Sequence, residues 1–64
     1  MKTRYFYSAV EQTLWKVKNR KITCIFIYFN GKSDWMESQF TNIKELLNYE
    51  NCVEIQAAEV ALLL

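Results

Sequence analysis

Histidine is absent from the 64 residues of this chain, and its absence narrows the chemistry that the sequence can support. Histidine is the commonest general base, the usual partner of a nucleophilic serine or cysteine, and a frequent ligand of catalytic zinc. The single glycine, Gly31, cannot make a phosphate-binding loop. The acidic side chains Asp34 and Glu37 are typical of solvated charges on an edge strand. We therefore expect a protein that is not an enzyme and that holds no metal or cofactor.

Proline is also absent and Gly31 is the single glycine, so the sequence contains no linker and no low-complexity segment. It contains no internal repeat either, and residues 1–64 form one predicted domain. A hydrophobic fraction of 52% is too high for a disordered chain. No apolar run approaches the ~20 residues of a membrane helix, and the segment after the basic start is too short for a signal peptide. We expect a soluble, cytoplasmic protein without membrane contact. Its two cysteines, Cys24 and Cys52, are predicted to be buried thiols rather than a disulfide.

The stretch around which the chain is organised is Ile22–Phe29, in which both alternating sets of side chains are apolar. β-branched and aromatic residues with this period predict a strand that has neighbours on both edges and cover on both faces. Asn30-Gly31 follows directly and predicts a type I′ hairpin turn. The next segment, Lys32–Phe40, alternates weakly and carries charges, as an edge strand does.

The segment before the central strand, Thr3–Val17, is predicted as one long strand with a bulge around Ser8–Gln12, because both of its alternating sets are mixed. A helix through Ala9–Lys18 is the alternative. A polar turn at residues 18–21 then leads to the central strand. Asn19 is its expected residue with positive φ, since the short side chain of asparagine tolerates that conformation.

A helix is predicted after Asn42, which can cap it while Glu45 reaches back to the N–H of the cap. The apolar residues Ile43, Leu46 and Leu47 form one stripe, and Asn48 or Asn51 is expected to end the helix in the left-handed conformation.

The closing segment, Cys52–Leu64, is predicted as a strand with a bulge at Ala57-Ala58. A helix through Gln56–Leu63 is the alternative, since alanine, glutamate and leucine favour helices. The predicted order is β-β-β-α-β. It describes an α+β domain in which a small antiparallel sheet carries one short helix on one face.

Charge is divided unequally between the two halves of the chain. Residues 1–32 contain seven basic residues against one acidic residue, a net charge of +6. Residues 33–64 contain one basic residue against six acidic residues, a net charge of −5. Such asymmetry indicates how the molecule attracts partners rather than how it folds.

Two groups of residues are candidate binding sites. A single helix would leave one face of the sheet open, and exposed aromatic patches usually mark interfaces. The candidate partner-binding residues are Tyr5, Tyr7, Trp15 and Trp35, unless these rings complete the core beneath the C-terminal segment. The candidate residues for binding nucleic acid or an acidic partner are Lys16, Lys18, Arg20 and Lys21, which lie at a hairpin tip. A merely solvated tip is the alternative.

The sequence favours a non-catalytic protein-interaction module. Two oppositely charged halves favour a partner protein with complementary charged patches over bare nucleic acid. We expect a small protein that inhibits a larger macromolecular machine, in the style of the anti-defence proteins of phages and other mobile elements. A single-stranded nucleic-acid-binding domain that uses the basic hairpin is the second reading. A homodimer with paired open faces is the third.

Overall fold

A computed structural model describes residues 2–64 of the chain. These residues form an antiparallel sheet with two short helices. The strands are β1 (Arg4–Ser8), β2 (Thr13–Lys18), β3 (Lys21–Tyr28), β4 (Gly31–Lys32), β5 (Met36–Glu37) and β6 (Val53–Ile55). The helices are α1 (Ile43–Leu47) and α2 (Ala57–Leu63). The strand order is β4-β3-β2-β1-β6, and β5 also pairs with β3. The predicted α+β class is confirmed, whereas the predicted element order lacks three of these strands and helices.

The central position of β3 is confirmed, since this strand pairs with β2 on one edge and with β4 and β5 on the other. It ends one residue earlier than predicted. Tyr28 pairs with Gly31, which makes Phe29-Asn30 the turn instead of Asn30-Gly31. The side chain of Phe29 is consequently fully exposed, at 103% of its reference area. The type I′ prediction is also wrong, because Asn30 does not have a positive φ.

The segment predicted as one long bulged strand is a hairpin of two strands. β1 and β2 pair in register from Arg4 opposite Val17 to Ser8 opposite Thr13. The hydroxyl of Ser8 accepts a hydrogen bond from the N–H of Glu11 (3.1 Å) inside the turn that joins them. This reversal explains the mixed alternation of the sequence, because even-numbered residues of β1 share a face with odd-numbered residues of β2.

The β2–β3 turn has two residues, and both have a positive φ: 52° at Asn19 and 64° at Arg20. This pattern is that of a type I′ turn, whose twist matches that of the flanking strands. The prediction for Asn19 is confirmed, whereas nothing in the local sequence predicts the same conformation at Arg20.

The predicted edge strand after β3 is interrupted between β4 and β5. Ile27 pairs with Lys32 and Cys24 pairs with Met36, so three residues on the edge oppose two on β3. Ser33 remains bound to β3, since its hydroxyl accepts a hydrogen bond from the N–H of Phe26 (2.9 Å). The interruption is therefore a bulge, a feature common at sheet edges.

The capping of α1 is confirmed in detail. The side chain of Asn42 accepts a hydrogen bond from the N–H of Glu45 (3.2 Å). The Glu45 carboxylate in turn accepts from the N–H of Thr41 (2.9 Å) and of Asn42 (3.2 Å). These bonds, that of the Thr41 N–H first, hold the pKa of Glu45 below its ordinary value. The helix ends at Asn48 with a φ of −91°, so the expected left-handed end is wrong.

The C-terminal segment ends as a helix, which corrects the preferred strand prediction and agrees with its alternative. Only Val53–Ile55 is extended, and α2 begins directly after Gln56. The N–H of Gln56 donates to the Glu59 carboxylate (3.2 Å) at the start of the helix. On the inner side of α2, Val60 is buried and Leu63 is partly buried. The prediction of a single helix is therefore wrong.

The two helices cover opposite faces of the sheet and create two apolar layers. On the α1 side the buried residues are Phe6, Trp15, Ile22, Cys24 and Leu46. On the α2 side they are Leu14, Ile25 and Val60. Both cysteines are free thiols, as predicted: Cys24 is buried and Cys52 packs against the same layer. Burial raises the pKa of both thiols.

Candidate functional site

The register of the sheet brings most of the basic residues to one end of the molecule. Lys18 lies opposite Lys21 at the β2–β3 turn, and Arg4 lies opposite Val17 close to that turn. Two clefts flank the turn, one on each face of the sheet, and each is lined by three cationic side chains. Together these six residues, which we call the basic end, are Lys2, Arg4, Lys16, Lys18, Arg20 and Lys21.

The cleft on the α1 side has a volume of about 480 Å³ and lies between the β2–β3 turn and the start of α1. Its floor is apolar and consists of Val17, Ile22 and Ile43. Its cationic rim consists of Lys2, Arg4 and Arg20. We call it the α1-side cleft. Its size falls within the range of roughly 300–1,000 Å³ that is usual for ligand sites.

Arg4 is the one cation of this rim with a carboxylate partner in the described part of the chain. Its Nε and Nη2 atoms donate to the two carboxylate oxygens of Glu54 at 2.8 and 2.7 Å. This bidentate pair, chiefly through its hydrogen bonds, raises the pKa of Arg4 and lowers that of Glu54. Arg4 is therefore fixed in place and largely compensated in charge. Arg20 is the rim residue that projects from the turn toward solvent.

The cleft on the α2 side of the turn has a volume of about 400 Å³ and a different character. It is lined by Lys16, Lys18, Lys21, Thr23 and Trp35 among others, and we call it the Trp35-side cleft. The ammonium group of Lys16 lies over the Trp35 ring, 4.4 Å from its centroid. One face of this indole is thus already occupied by a cation from the protein itself.

The four aromatic residues predicted to bind a partner do not form one surface. Trp15 is 3% exposed and lies in the core, in edge contact with Phe40 (5.7 Å between ring centroids) and Tyr49 (6.1 Å). The expectation that it lies on an open face is therefore wrong, because α1 covers that face.

The other three predicted aromatic residues lie on the opposite side of the sheet from Trp15. Tyr5 and Tyr7 are half-buried and pack against the layer beneath α2. Trp35 is 37% exposed and lies beside the basic end. The open apolar face on which the homodimer reading depended is occupied by α2.

The β2–β3 turn contains two local features that cost stability. Arg20 adopts the left-handed conformation, which costs a residue with a Cβ about 1–2 kcal/mol, whereas glycine adopts it freely. Lys18 and Lys21 face each other directly, and like charges in this position destabilise a strand pair. A turn of Asn-Gly between oppositely charged residues would satisfy the same geometry without either cost.

The sequence predicted four of the six residues of the basic end but not the α1-side cleft. Lys2 and Arg4 were missed because they precede Lys16, the first of these four residues, by more than ten positions and approach the turn only through the pairing of β1 with β2. The floor residues Val17 and Ile43 come from different elements. Recognition of the β1–β2 hairpin in the sequence would have placed Arg4 beside Val17.

Comparisons with known protein families, with curated proteins and with solved structures find no significant match to this chain. In residues 2–64, no three side chains of the metal-ligating types Cys, Asp and Glu come together as a potential metal site. Neither of the two helices described above is long and apolar enough to cross a membrane.

Proposed function

We propose that the chain is a non-catalytic protein-interaction module that binds an acidic segment of a partner protein through the basic end. The observation that carries this proposal is the β2–β3 turn, where Arg20 and the Lys18–Lys21 pair retain positive charge at a cost in stability. Strained backbone conformations concentrate at functional sites. Uncompensated cations steer an oppositely charged partner and fix the orientation in which it docks.

A protein partner is favoured over single-stranded nucleic acid because of the rings near the basic end. Binding of single strands combines a basic groove with aromatic rings on which successive bases stack. Here Trp15 is buried, and one face of Trp35 is covered by the Lys16 ammonium group. No other aromatic side chain lines either of the two clefts in the described part of the chain. The two clefts therefore offer six cations but only the second face of the Trp35 indole for stacking.

The wider role that we propose is inhibition of a larger macromolecular machine, as small proteins of phages and mobile elements perform it. A domain of 7.7 kDa that docks through one charged end can block a surface on its target without catalysing a reaction. The steering effect of the basic end would make association fast and dependent on salt.

The experiment that tests this proposal is selection of random linear peptides displayed on phage, with two charge-matched variants for comparison. The first variant, Lys18→Glu/Lys21→Glu, reverses the charge of the two residues beside the β2–β3 turn. The second variant, Lys32→Glu/Lys44→Glu, changes the net charge by the same amount at positions outside the basic end. We expect the wild type and the second variant to enrich peptides rich in Asp and Glu. The first variant should lose this enrichment while its thermal midpoint stays close to that of the wild type.

The alternative hypothesis, that the chain binds single-stranded nucleic acid, is tested with the same proteins and a fluorescent single-stranded oligonucleotide of mixed sequence. Binding of this probe is measured by anisotropy at a low and a physiological salt concentration. Tight, salt-sensitive binding that only Lys18→Glu/Lys21→Glu abolishes would contradict the proposal and identify a nucleic-acid binder. Absence of acidic peptides among the selected sequences would also contradict it.

A further inference from the structure

The two clefts at the basic end differ in what they can accept. The Trp35-side cleft has lysine side chains and Thr23 on its surface, and its indole is already in contact with Lys16. The α1-side cleft instead exposes aliphatic groups of Val17 and Ile43 above the buried Ile22. Only the α1-side cleft combines an apolar floor with a cationic rim.

We infer that the α1-side cleft binds a bulky apolar side chain that is flanked by carboxylates in an acidic peptide segment. This inference rests on the proposed function and specifies the partner chemistry: the apolar side chain provides the anchor, and its acidic neighbours contact the rim. A volume of about 480 Å³ accommodates a leucine or an aromatic ring together with part of the peptide backbone. Burial of such a side chain is the usual source of hot-spot energy at an interface.

Charge complementarity identifies the occupant as acidic. Lys2 and Arg20 lie on the rim, and neither has a salt-bridge partner in the described residues 2–64. Arg4, the third cation of the rim, is already paired with the Glu54 carboxylate through two hydrogen bonds. Lys2 is attracted to the Glu54 carboxylate that Arg4 already binds, so Arg20 is the rim cation that a basic or neutral peptide would leave without any anionic neighbour in residues 2–64.

The position of Arg20 connects the two parts of the site. This residue follows Asn19, which lines both clefts, and its neighbour Lys21 lines the Trp35-side cleft. A peptide whose anchor lies on Val17 and Ile43 can therefore continue across the turn, where its next carboxylates meet Lys18 and Lys21. The proposed ligand is an extended acidic segment with one apolar anchor near one end.

The test uses three fluorescein-labelled synthetic peptides of equal length. In the first, one leucine is flanked on both sides by aspartate and glutamate; in the second, that leucine is alanine; in the third, the leucine stays and its flanks are serine and glycine. We expect the first peptide to bind most tightly. The second should bind at least about tenfold more weakly, because it lacks the leucine side chain that the apolar floor would bury. The third should also bind more weakly, because it cannot compensate the rim.

The floor of the cleft is tested with Val17→Thr, which preserves side-chain shape and makes the floor polar. The matched control is Val10→Thr in the β1–β2 turn, where the valine is 81% exposed. Val17→Thr should weaken binding of the leucine peptide and leave binding of the alanine peptide nearly unchanged. Val10→Thr should change the affinity for neither peptide. Thermal midpoints verify that both variants fold.

Methyl resonances provide a second readout that needs no variant. The leucine peptide should shift the signals of Val17 and Ile43 more than that of Thr23 in the other cleft. Shifts confined to Thr23, or equal binding of the leucine and alanine peptides, would contradict the inference that the α1-side cleft binds an apolar anchor. Neither result would contradict the proposed function. Failure of both acidic peptides to bind would overturn the two proposals together.

Discussion

At the scale of single residues, the β2–β3 turn joins one residue that adopts a positive φ readily to one that adopts it at a cost in free energy. Asn19 adopts the left-handed conformation that its short side chain tolerates, and the sequence predicts this. Arg20 adopts it against its own preference, because a two-residue turn between Lys18 and Lys21 requires a positive φ at both positions. The pairing of two whole strands thus decides the conformation of Arg20, and local sequence contains no sign of it.

Replacement of Arg20 by glycine is expected to stabilise the fold. The change removes the left-handed penalty of about 1–2 kcal/mol but adds the entropy cost of glycine, about 0.5–1 kcal/mol. The unfolding free energy should therefore rise by up to about 1.5 kcal/mol. Gln12→Gly, at a φ of 53° in the β1–β2 turn, is the matched control and should stabilise similarly. Denaturant titrations measure both, and a loss of stability in either variant would contradict the strain at that residue.

At the scale of elements, the best prediction was α1 and the poorest were the β1–β2 hairpin and the C-terminal segment. The α1 cap depends on Asn42 and Glu45, two residues whose interaction is local. The turn at residues 9–12 contains no glycine, proline or Asn-Gly pair, and it even places Val10 in solvent. No residue of this turn therefore signals a reversal, and its only trace in the sequence is the change of alternation between β1 and β2.

The C-terminal segment shows how a helix can prevail over an alternating pattern. The apolar residues at 58, 60 and 62 suggested a strand, but Val60 and Leu63 are spaced for one side of a helix. A helix satisfies its own backbone hydrogen bonds and places these two side chains on the second face of the sheet. The preferred prediction left that face open, which is why it also placed a binding surface there.

The packing of α1 provides a test within a single helix. Leu46 is 1% exposed and Leu47 is 55% exposed, although the sequence placed both in one apolar stripe. Leu46→Ala should lower the unfolding free energy by about 2–5 kcal/mol, since it leaves a cavity in the layer with Phe6 and Trp15. Leu47→Ala should change it by less than about 0.5 kcal/mol. Equal losses from the two substitutions, measured by denaturant titration, would contradict the orientation of the helix.

At the scale of the whole molecule, six of the eight basic side chains lie at one end of the sheet. The charge asymmetry between the two halves of the sequence predicts that positive and negative charges are separated in the folded molecule. The register of β1, β2 and β3 determines where the positive charges lie. The cleft itself was beyond sequence analysis, since Val17, Ile22 and Ile43 meet only after three elements have packed. The proposed binding role of the basic end accounts for a turn that lowers the stability of the fold, because residues at functional sites can be retained at a cost in stability.

Stability and peptide binding, measured together in Arg20→Gly and Gln12→Gly, show whether the strained Arg20 is retained for recognition. Both variants are titrated with the acidic leucine peptide, and the unfolding free energy of each is measured in the same buffer. We predict that both proteins become more stable than the wild type and that only Arg20→Gly loses affinity, by about tenfold, as expected for removal of a charged contact at an interface. Affinity of Arg20→Gly equal to that of the wild type would contradict the proposal that the strained arginine is kept for binding.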